Sequence, residues 1–147
     1  MYKHILIPTD GSELAEKAVA AGIEFARASG ARVTLFTAVP EYKPPSEAAI
    51  MAGRISSIAD HARESERIAS GIVSSASRQA HAAGVAFDTD YVQSNEPWRA
   101  IIDAAQRHHC DAIFMASHAR KGLAALWHGS QTHEVLTHST LPTLVYR

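Results

Sequence analysis

Residues 115–134 combine small, basic and hydroxyl-bearing side chains in a short connection, with the sequence MASHARKGLAALWHGSQTHE. His118, Arg120 and Lys121 supply hydrogen-bond donors, and Ser130 opens a helical pattern whose first N–H groups and dipole attract anions. The pattern is typical of a phosphate-binding loop. It is equally typical of a tight strand-to-helix connection with solvated basic side chains and a serine cap.

Alanine occupies two positions of this connection where a phosphate loop commonly has glycine. Glycine adopts a positive φ at no steric cost and lets backbone N–H groups approach a phosphate without a Cβ in the way. An alanine held in the left-handed conformation costs about 1 kcal/mol or somewhat more. If Ala116 still belongs to the strand that begins at Asp111, its penalty is small, whereas Ala119 lies in the turn. These residues alone favour the ordinary connection.

A second polar group, Pro8-Thr9-Asp10, follows the first apolar run of the chain. A carboxylate at the carboxyl end of a strand can accept ribose hydroxyls or help to hold a metal beside phosphates. The alternative for Asp10 is that it only caps the turn at Gly11. Val39 ends the second apolar run, and the sequence does not separate a ligand contact there from a simple strand end.

The remaining reactive side chains do not form a recognisable catalytic or metal site. Residues 108–111 contain metal-ligand types, and so does the set His128, His133 and His138, but neither has zinc-site spacing. Cys110 precedes an apolar run and is expected to be a packed thiol. The candidate serine nucleophiles stand at helix caps or in a loop, at Ser12, Ser117 and Ser130. We therefore predict neither a metal site nor a catalytic residue.

The overall composition is that of an ordinary globular domain. The chain has 147 residues, 46% hydrophobic and 20% charged, with a net charge of −1 when histidine is neutral. No field of one sign favours a nucleic-acid or anionic-membrane partner, and no apolar run is long enough to span a bilayer. The single cysteine fits a reducing compartment, and the first residues are unlike a signal peptide. We expect a cytoplasmic protein with neither a nucleic-acid nor a membrane partner.

Five apolar runs alternate with amphipathic stretches along the chain. The runs predict strands within residues 4–10, 32–39, 85–93, 111–117 and 141–147, the third alternating as an edge strand does. The stretches predict helices that start after Ser12, at Ile55, at Glu96-Pro97 and at Ser130, and that end at Gly30, Gly84, His109 and His138. This alternation favours a parallel sheet covered on both faces, which binds ligands beyond the carboxyl ends of its strands.

Residues 40–54 contain three prolines and form the longest break in the pattern. They are predicted to be the most flexible segment of the chain and to lie over a ligand at the strand ends. The last run, TLVYR, is predicted to be an edge strand that is apolar at the very terminus.

The opening ILIPTDGS and the closing MASHARKG…HGSQTHEVLTHSTLPTLVYR resemble the first strand and the last βαβ unit of the universal stress proteins. The resemblance covers the whole chain, residues 1–147. It implies a single doubly wound α/β domain with a five-stranded parallel sheet of order 3-2-1-4-5 and helices on both faces. It also implies a role in the stress response and a homodimer formed through antiparallel pairing of the C-terminal strand.

Many universal stress proteins bind ATP through a pattern of Gly, two residues, Gly, nine residues, and then Gly followed by Ser or Thr. Here Ala116 and Ala119 replace the leading glycines, whereas the spacing to Gly129-Ser130 is kept. The resemblance therefore shifts the preference to adenine-nucleotide binding, with ATP and an accompanying Mg²⁺ as the implied ligands. The nucleotide-binding residues that it implies are Pro8, Thr9, Asp10, Val39, Ala116, Ser117, His118, Ala119, Arg120, Lys121, Gly122, Gly129, Ser130, Gln131 and Thr132. The alternative is a dimeric interaction or signalling protein without nucleotide, and slow ATP hydrolysis stays open although no enzyme is predicted.

Overall fold

A computed structural model of the chain describes residues 1–117 and 130–147. Within these residues the strands are β1 (His4–Pro8), β2 (Arg32–Val39), β3 (Phe87–Gln93), β4 (Ala112–Ala116) and β5 (Thr143–Tyr146). They form one parallel sheet in the order β3-β2-β1-β4-β5. The predicted fold class and strand order are therefore confirmed.

The described helices are α1 (Glu13–Ser29), α2 (Glu47–Met51), α3 (Ile58–Ala82), α4 (Pro97–Arg107) and α5 (Ser130–His138). The ends of α1 follow the sequence signals: the Ser12 hydroxyl accepts from the Ala15 N–H, and Gly30 adopts a positive φ of 68° at the C-terminus. The start of α5 at Ser130 also agrees with the prediction.

Three helix predictions were wrong in detail. The short helix α2, capped by Ser46, was not predicted within the segment 40–54. The long helix α3 begins at Ile58 and not at Ile55, because Ser57 and Asp60 form a reciprocal capping box that fixes its first turn. The helix α4 ends at Arg107, two residues before the predicted end, and His109 has a positive φ of 53° that no helix continues through.

Both faces of the sheet carry an apolar core, because successive strand residues point to opposite faces. On one face, Ile5, Ile7 and Leu35 pack with buried residues of α1 and α3. On the other face, Leu6, Phe36 and Ile113 pack with buried residues of α4 and with Val135 of α5. Burial of each such aliphatic or aromatic side chain contributes about 1.5–3 kcal/mol to the free energy of folding.

The first turns of α3 extend beyond this core. Ile55 and Ile58 are 69% and 70% exposed, although the sequence pattern placed both on the buried stripe. β2 ends at Val39, and the side chain of His61 in the first turn of α3 contacts the residue after that end, Pro40. Farther along α3, Ala69 is fully buried.

The two edge strands of the sheet differ in chemistry. The edge strand β3 carries Asp88 and Asp90, which form ion pairs with Arg32 and Arg107 respectively. The edge strand β5 has the sequence TLVY and no charged residue, and its Val145 is 37% exposed. Both edges were predicted from the sequence. None of the helices in residues 1–117 and 130–147 combines the length and the hydrophobicity that a bilayer-spanning segment needs.

Candidate functional site

The carboxyl ends of β1, β2 and β4 lie at one edge of the sheet, because all the strands run parallel. The strands β1 and β4 are neighbours in the sheet. The strand that follows β1 in the chain, β2, lies on one side of this pair, and the strand that follows β4 in the chain, β5, lies on the other side. This reversal opens a crevice at the topological switch point, where doubly wound sheets bind ligands. The predicted site residues Pro8, Ala116 and Ser117 lie at these two strand ends.

The turn after β1 is tightly organised. Thr9 is fully buried, and its N–H donates to the Phe36 carbonyl at 2.8 Å, which continues the ladder one residue past β1. Its hydroxyl accepts from the Gly11 N–H at 3.2 Å. Gly11 has φ 77°, and a Cβ there would lie 3.1 Å from Cγ1 of Ile72 on α3. The positive φ therefore favours glycine at this turn, and a larger residue would also require the Ile72 side chain to shift by a few tenths of an ångström.

Asp10 lies half-buried between this turn and the first residue of α1. Its Oδ1 accepts from the Ser12 N–H at 3.0 Å, which is the turn-capping contact expected as the alternative role. The Ser12 hydroxyl in turn caps α1 by accepting from the Ala15 N–H at 3.2 Å. The carboxylate thus lies beside a helix N-terminus, whose dipole stabilises negative charge.

The end of β2 is held by residues from two other connections. Val39 is buried, and its carbonyl accepts from the Ser94 N–H at 2.8 Å. The Pro40 carbonyl lies 2.9 Å from Nε2 of His61, and the Glu41 N–H donates to Oδ1 of Asn95 at 3.1 Å. These contacts anchor the beginning of the segment 40–54, which the sequence predicted to be flexible throughout.

The end of β4 is hydrogen-bonded to the first turn of α5. The hydroxyl of Thr132 donates to the carbonyl of Ala116 at 3.0 Å, and both residues are buried. The Ser117 N–H donates to the Tyr146 carbonyl at 2.8 Å. The Gln131 side chain accepts from the Trp98 N–H at 2.9 Å, so it caps the start of α4. The side chains of Gln131 and Thr132 therefore tie the first turn of α5 to the start of α4 and to the end of β4.

Six of the predicted site residues lie outside the described residues: His118, Ala119, Arg120, Lys121, Gly122 and Gly129. The described ones fall into two groups. Pro8, Thr9 and Asp10 come together with Ala116 and Ser117 at the switch point, and α5 begins beside them. Val39 lies one strand away, at the end of β2.

His61 and Asn95 were not among the predicted site residues. Each contacts the end of β2 from a sequence distance that no local pattern reveals, 21 residues for His61 and 54 for Asn95. The one local signal is for Asn95, which lies in the polar turn SNEP before α4.

Two further features concern metal-ligand side chains and the thiol of Cys110. No group of three or more histidine, cysteine, aspartate or glutamate residues suitable for a metal ion occurs within 1–117 and 130–147. Cys110 is buried, and this burial raises the pKa of its thiol to about 11. The thiol is therefore protonated at neutral pH, as expected for a packed cysteine, and not a nucleophile.

Comparison with known proteins connects this geometry to a family. A family profile described as the universal stress protein family matches residues 1–147. The chain is 30% identical over 152 residues to the universal stress protein Sll1388 of Synechocystis sp. (strain ATCC 27184 / PCC 6803 / Kazusa), and the match covers 98% of this chain and 97% of that protein.

Two similar solved structures contain ligands. One is a universal stress protein in complex with cAMP, 22% identical, with a TM-score of 0.70 and coverage of 99% of this chain and 97% of the other. The other is the universal stress protein from Archaeoglobus fulgidus in complex with dAMP, 21% identical, with a TM-score of 0.62 and coverage of 99% and 98%. At these identities the similarity establishes a shared fold.

Proposed function

The chain belongs to the universal stress protein family, and from this premise we propose that it binds an adenine nucleotide at the carboxyl edge of its sheet. The ligand that we propose first is ATP, which the retained spacing to Gly129-Ser130 favours. In this proposal the protein acts in the cytoplasm, in the stress response, and signals through its nucleotide-bound state.

The observation that carries the proposal is the junction of β1 and β4 at the switch point. Each of these strands is followed there by a helix whose N-terminus lies at the crevice, α1 after Ser12 and α5 from Ser130. The first N–H groups of a helix have no intrahelical acceptor, and together with the dipole they favour phosphate. The two solved relatives with cAMP and dAMP support an adenine nucleotide as the ligand class.

The proposed roles follow from the positions of the described residues. Asp10 has one carboxylate oxygen engaged with the Ser12 N–H, and the carboxylate is proposed to accept a ribose hydroxyl. Pro8 and Thr9 form the wall beside it, and Val39 is proposed to contact the base. The sequence assigns the phosphates to the connection from Ala116 to Thr132. Because Gln131 and Thr132 use their side chains elsewhere, they contribute through the backbone of α5.

A Mg²⁺ ion fits this proposal only as a companion of the phosphates. Mg²⁺ is usually bound by one or two carboxylates together with phosphate oxygens and water. Asp10 is the site carboxylate that the described residues offer for such a role, and it would supply charge and one oxygen ligand.

We also propose that the protein forms a homodimer through β5. Val145 is 37% exposed on this uncharged edge strand, and Leu136 of α5 is 52% exposed. Antiparallel pairing with a second copy would satisfy the edge N–H and C=O groups and cover apolar surface. The same observation supports the second candidate function, a dimeric interaction protein that binds no nucleotide.

The test is to identify what the purified protein carries and binds. Mass spectrometry of the supernatant after denaturation should reveal adenine nucleotide, and titration calorimetry on nucleotide-free protein should show ATP binding. Asp10→Asn keeps an oxygen acceptor for the Ser12 N–H but removes the charge, and it should weaken ATP binding. If wild-type protein neither carries nucleotide nor binds ATP at millimolar concentration, the interaction-protein function replaces this proposal.

A further inference from the structure

The His61 side chain on α3 contacts the peptide that follows the end of β2. Its Nε2 lies 2.9 Å from the Pro40 carbonyl oxygen, and because a carbonyl only accepts, the imidazole donates. The ring is held in turn by Tyr42, which packs edge-on against it with the ring centroids 5.7 Å apart. The Tyr42 hydroxyl donates to the Ser56 carbonyl at 3.0 Å, next to the capping box of α3.

The contacts around His61 and Pro40 limit the hydrogen-bonding groups that the end of β2 can present to a ligand. The carbonyl of Val39 already accepts from the Ser94 N–H, and Pro40 has no N–H to donate. The N–H of Glu41 donates to Asn95. The Pro40 carbonyl has two lone pairs, of which His61 uses one. In the proposal made below, the second lone pair is the acceptor for a ligand, and the His61 contact helps to fix the orientation of the carbonyl.

A hydrogen-bond acceptor of fixed direction can distinguish purine bases by the group that they carry at ring position 6. An amino group there is a donor and can bond to the carbonyl, whereas an oxo group would place two acceptors against each other. A site built to bond one polar group rejects an analogue that leaves its own group unpaired.

We propose that His61 is a positioning residue for the nucleotide base, and that by holding the Pro40 peptide it determines the preference for a 6-amino purine over a 6-oxo purine. The inference rests on the proposed nucleotide-binding function and concerns the base end of the ligand alone. His61 itself does not contact the nucleotide in this proposal. It acts through the carbonyl that it orients.

The experiment compares ATP and GTP binding by titration calorimetry in nucleotide-free variants. His61→Ala should weaken ATP binding about three- to tenfold, the loss expected for one hydrogen bond, and leave GTP binding unchanged. His61→Gln, whose side-chain amide can also donate, should restore most of the ATP preference. The matched control is His81→Ala, an exposed histidine near the other end of α3, which should alter neither affinity.

The outcomes separate this inference from the function on which it rests. If the wild-type protein binds neither nucleotide, both are wrong. If it binds ATP but His61→Ala lowers ATP and GTP affinity equally, or changes neither, the positioning role is wrong and the nucleotide-binding function stands. Thermal unfolding checks that each variant is folded. His61→Asn, which is polar but too short to reach Pro40, replaces the alanine variant if that variant is unstable.

Discussion

The hydroxyl of Thr132 donates a hydrogen bond to the carbonyl of Ala116 at 3.0 Å, and this buried contact joins the first turn of α5 to the last residue of β4. It ties the two ends of the connection that the sequence assigns to phosphate binding. The proposed phosphate end of the site would therefore depend on a residue whose hydroxyl is engaged with the end of β4.

Thr132→Val should destabilise the fold and weaken ATP binding together. Valine keeps the shape of threonine but leaves the buried Ala116 carbonyl without this donor, which costs about 1–3 kcal/mol of unfolding free energy. Urea denaturation measures the loss. Thr137→Val is the matched control, because Thr137 donates to the His133 carbonyl on the exposed side of the same helix and should change stability within about 0.5 kcal/mol. Equal effects of the two substitutions would contradict the importance of the Ala116 contact.

Ala119→Gly should tighten ATP binding. The sequence places this alanine in the turn, and relief of about 1–2 kcal/mol of strain corresponds to a roughly five- to thirtyfold lower Kd. Ala116→Gly is the comparison: Ala116 is a buried residue of β4 that pairs with Tyr146, so glycine has no strain to relieve there and ATP affinity should not improve. Ser130→Ala should weaken ATP binding, because it removes the hydroxyl expected at the start of the helix, both as a phosphate donor and as a helix cap. Calorimetric titration that finds no ATP binding in either the wild type or Ala119→Gly would show that the site is absent.

Val145→Asp should convert the proposed dimer to monomer. The substitution places a charge on the exposed apolar position of β5, where two copies would otherwise meet, and like charges at a two-fold contact repel. Thr89→Asp on the opposite edge strand β3 is the control and should leave the dimer intact. Sedimentation velocity gives the oligomeric state of both. A dimer that survives Val145→Asp would remove β5 from the interface.

His4 should make the stability of the protein depend on pH. Burial lowers the pKa of His4, the nearby charges of Arg32 and His108 lower it further, and Asp88 and Asp111 oppose them. A depressed pKa means that the unfolded chain takes up the proton first, so the contribution is complete above pH 6.5 and is lost as the pH falls through the folded-state pKa.

His4→Gln is the test of this pH dependence. Glutamine can still bond to the Thr34 hydroxyl, which His4 contacts at 2.7 Å, but it does not titrate. Chemical denaturation at several pH values should therefore show a shallower loss of stability below pH 6.5 than in the wild type. The control His81→Gln should follow the wild-type slope. Parallel slopes for the wild type and His4→Gln would contradict the assignment.

The parts of the fold that were predicted correctly rest on local signals. The Ser12 cap, the Gly30 terminus and the apolar runs each act within a few residues, and all are present in the structure. The start of α3 shows the limit of such signals. Apolar spacing continues back to Ile55, but the capping box at Ser57 makes the helix begin at Ile58, and Ile58 is exposed although it lies on the apolar stripe.

The candidate site was predictable to the same extent. Asp10 and Ala116 stand at strand ends, which the sequence marks, and the parallel topology brings those ends together. The contacts that hold the site could not be predicted in this way. The bonds from His61 to Pro40 and from Trp98 to Gln131 join elements whose mutual orientation is set by packing across the sheet.

The chemical difference between the edge strands β3 and β5 bears on how many subunits could join through their sheets. A subunit that can add strands only at β5 has a single growth point, and pairing with a second copy uses that point on both molecules. Further addition would have to occur at β3, whose Asp88 and Asp90 are held in ion pairs with Arg32 and Arg107, and charged side chains on an edge strand disfavour the pairing of another strand. In the proposed homodimer the sheet would therefore end at two subunits, and the charged side chains of β3 would oppose the addition of further copies.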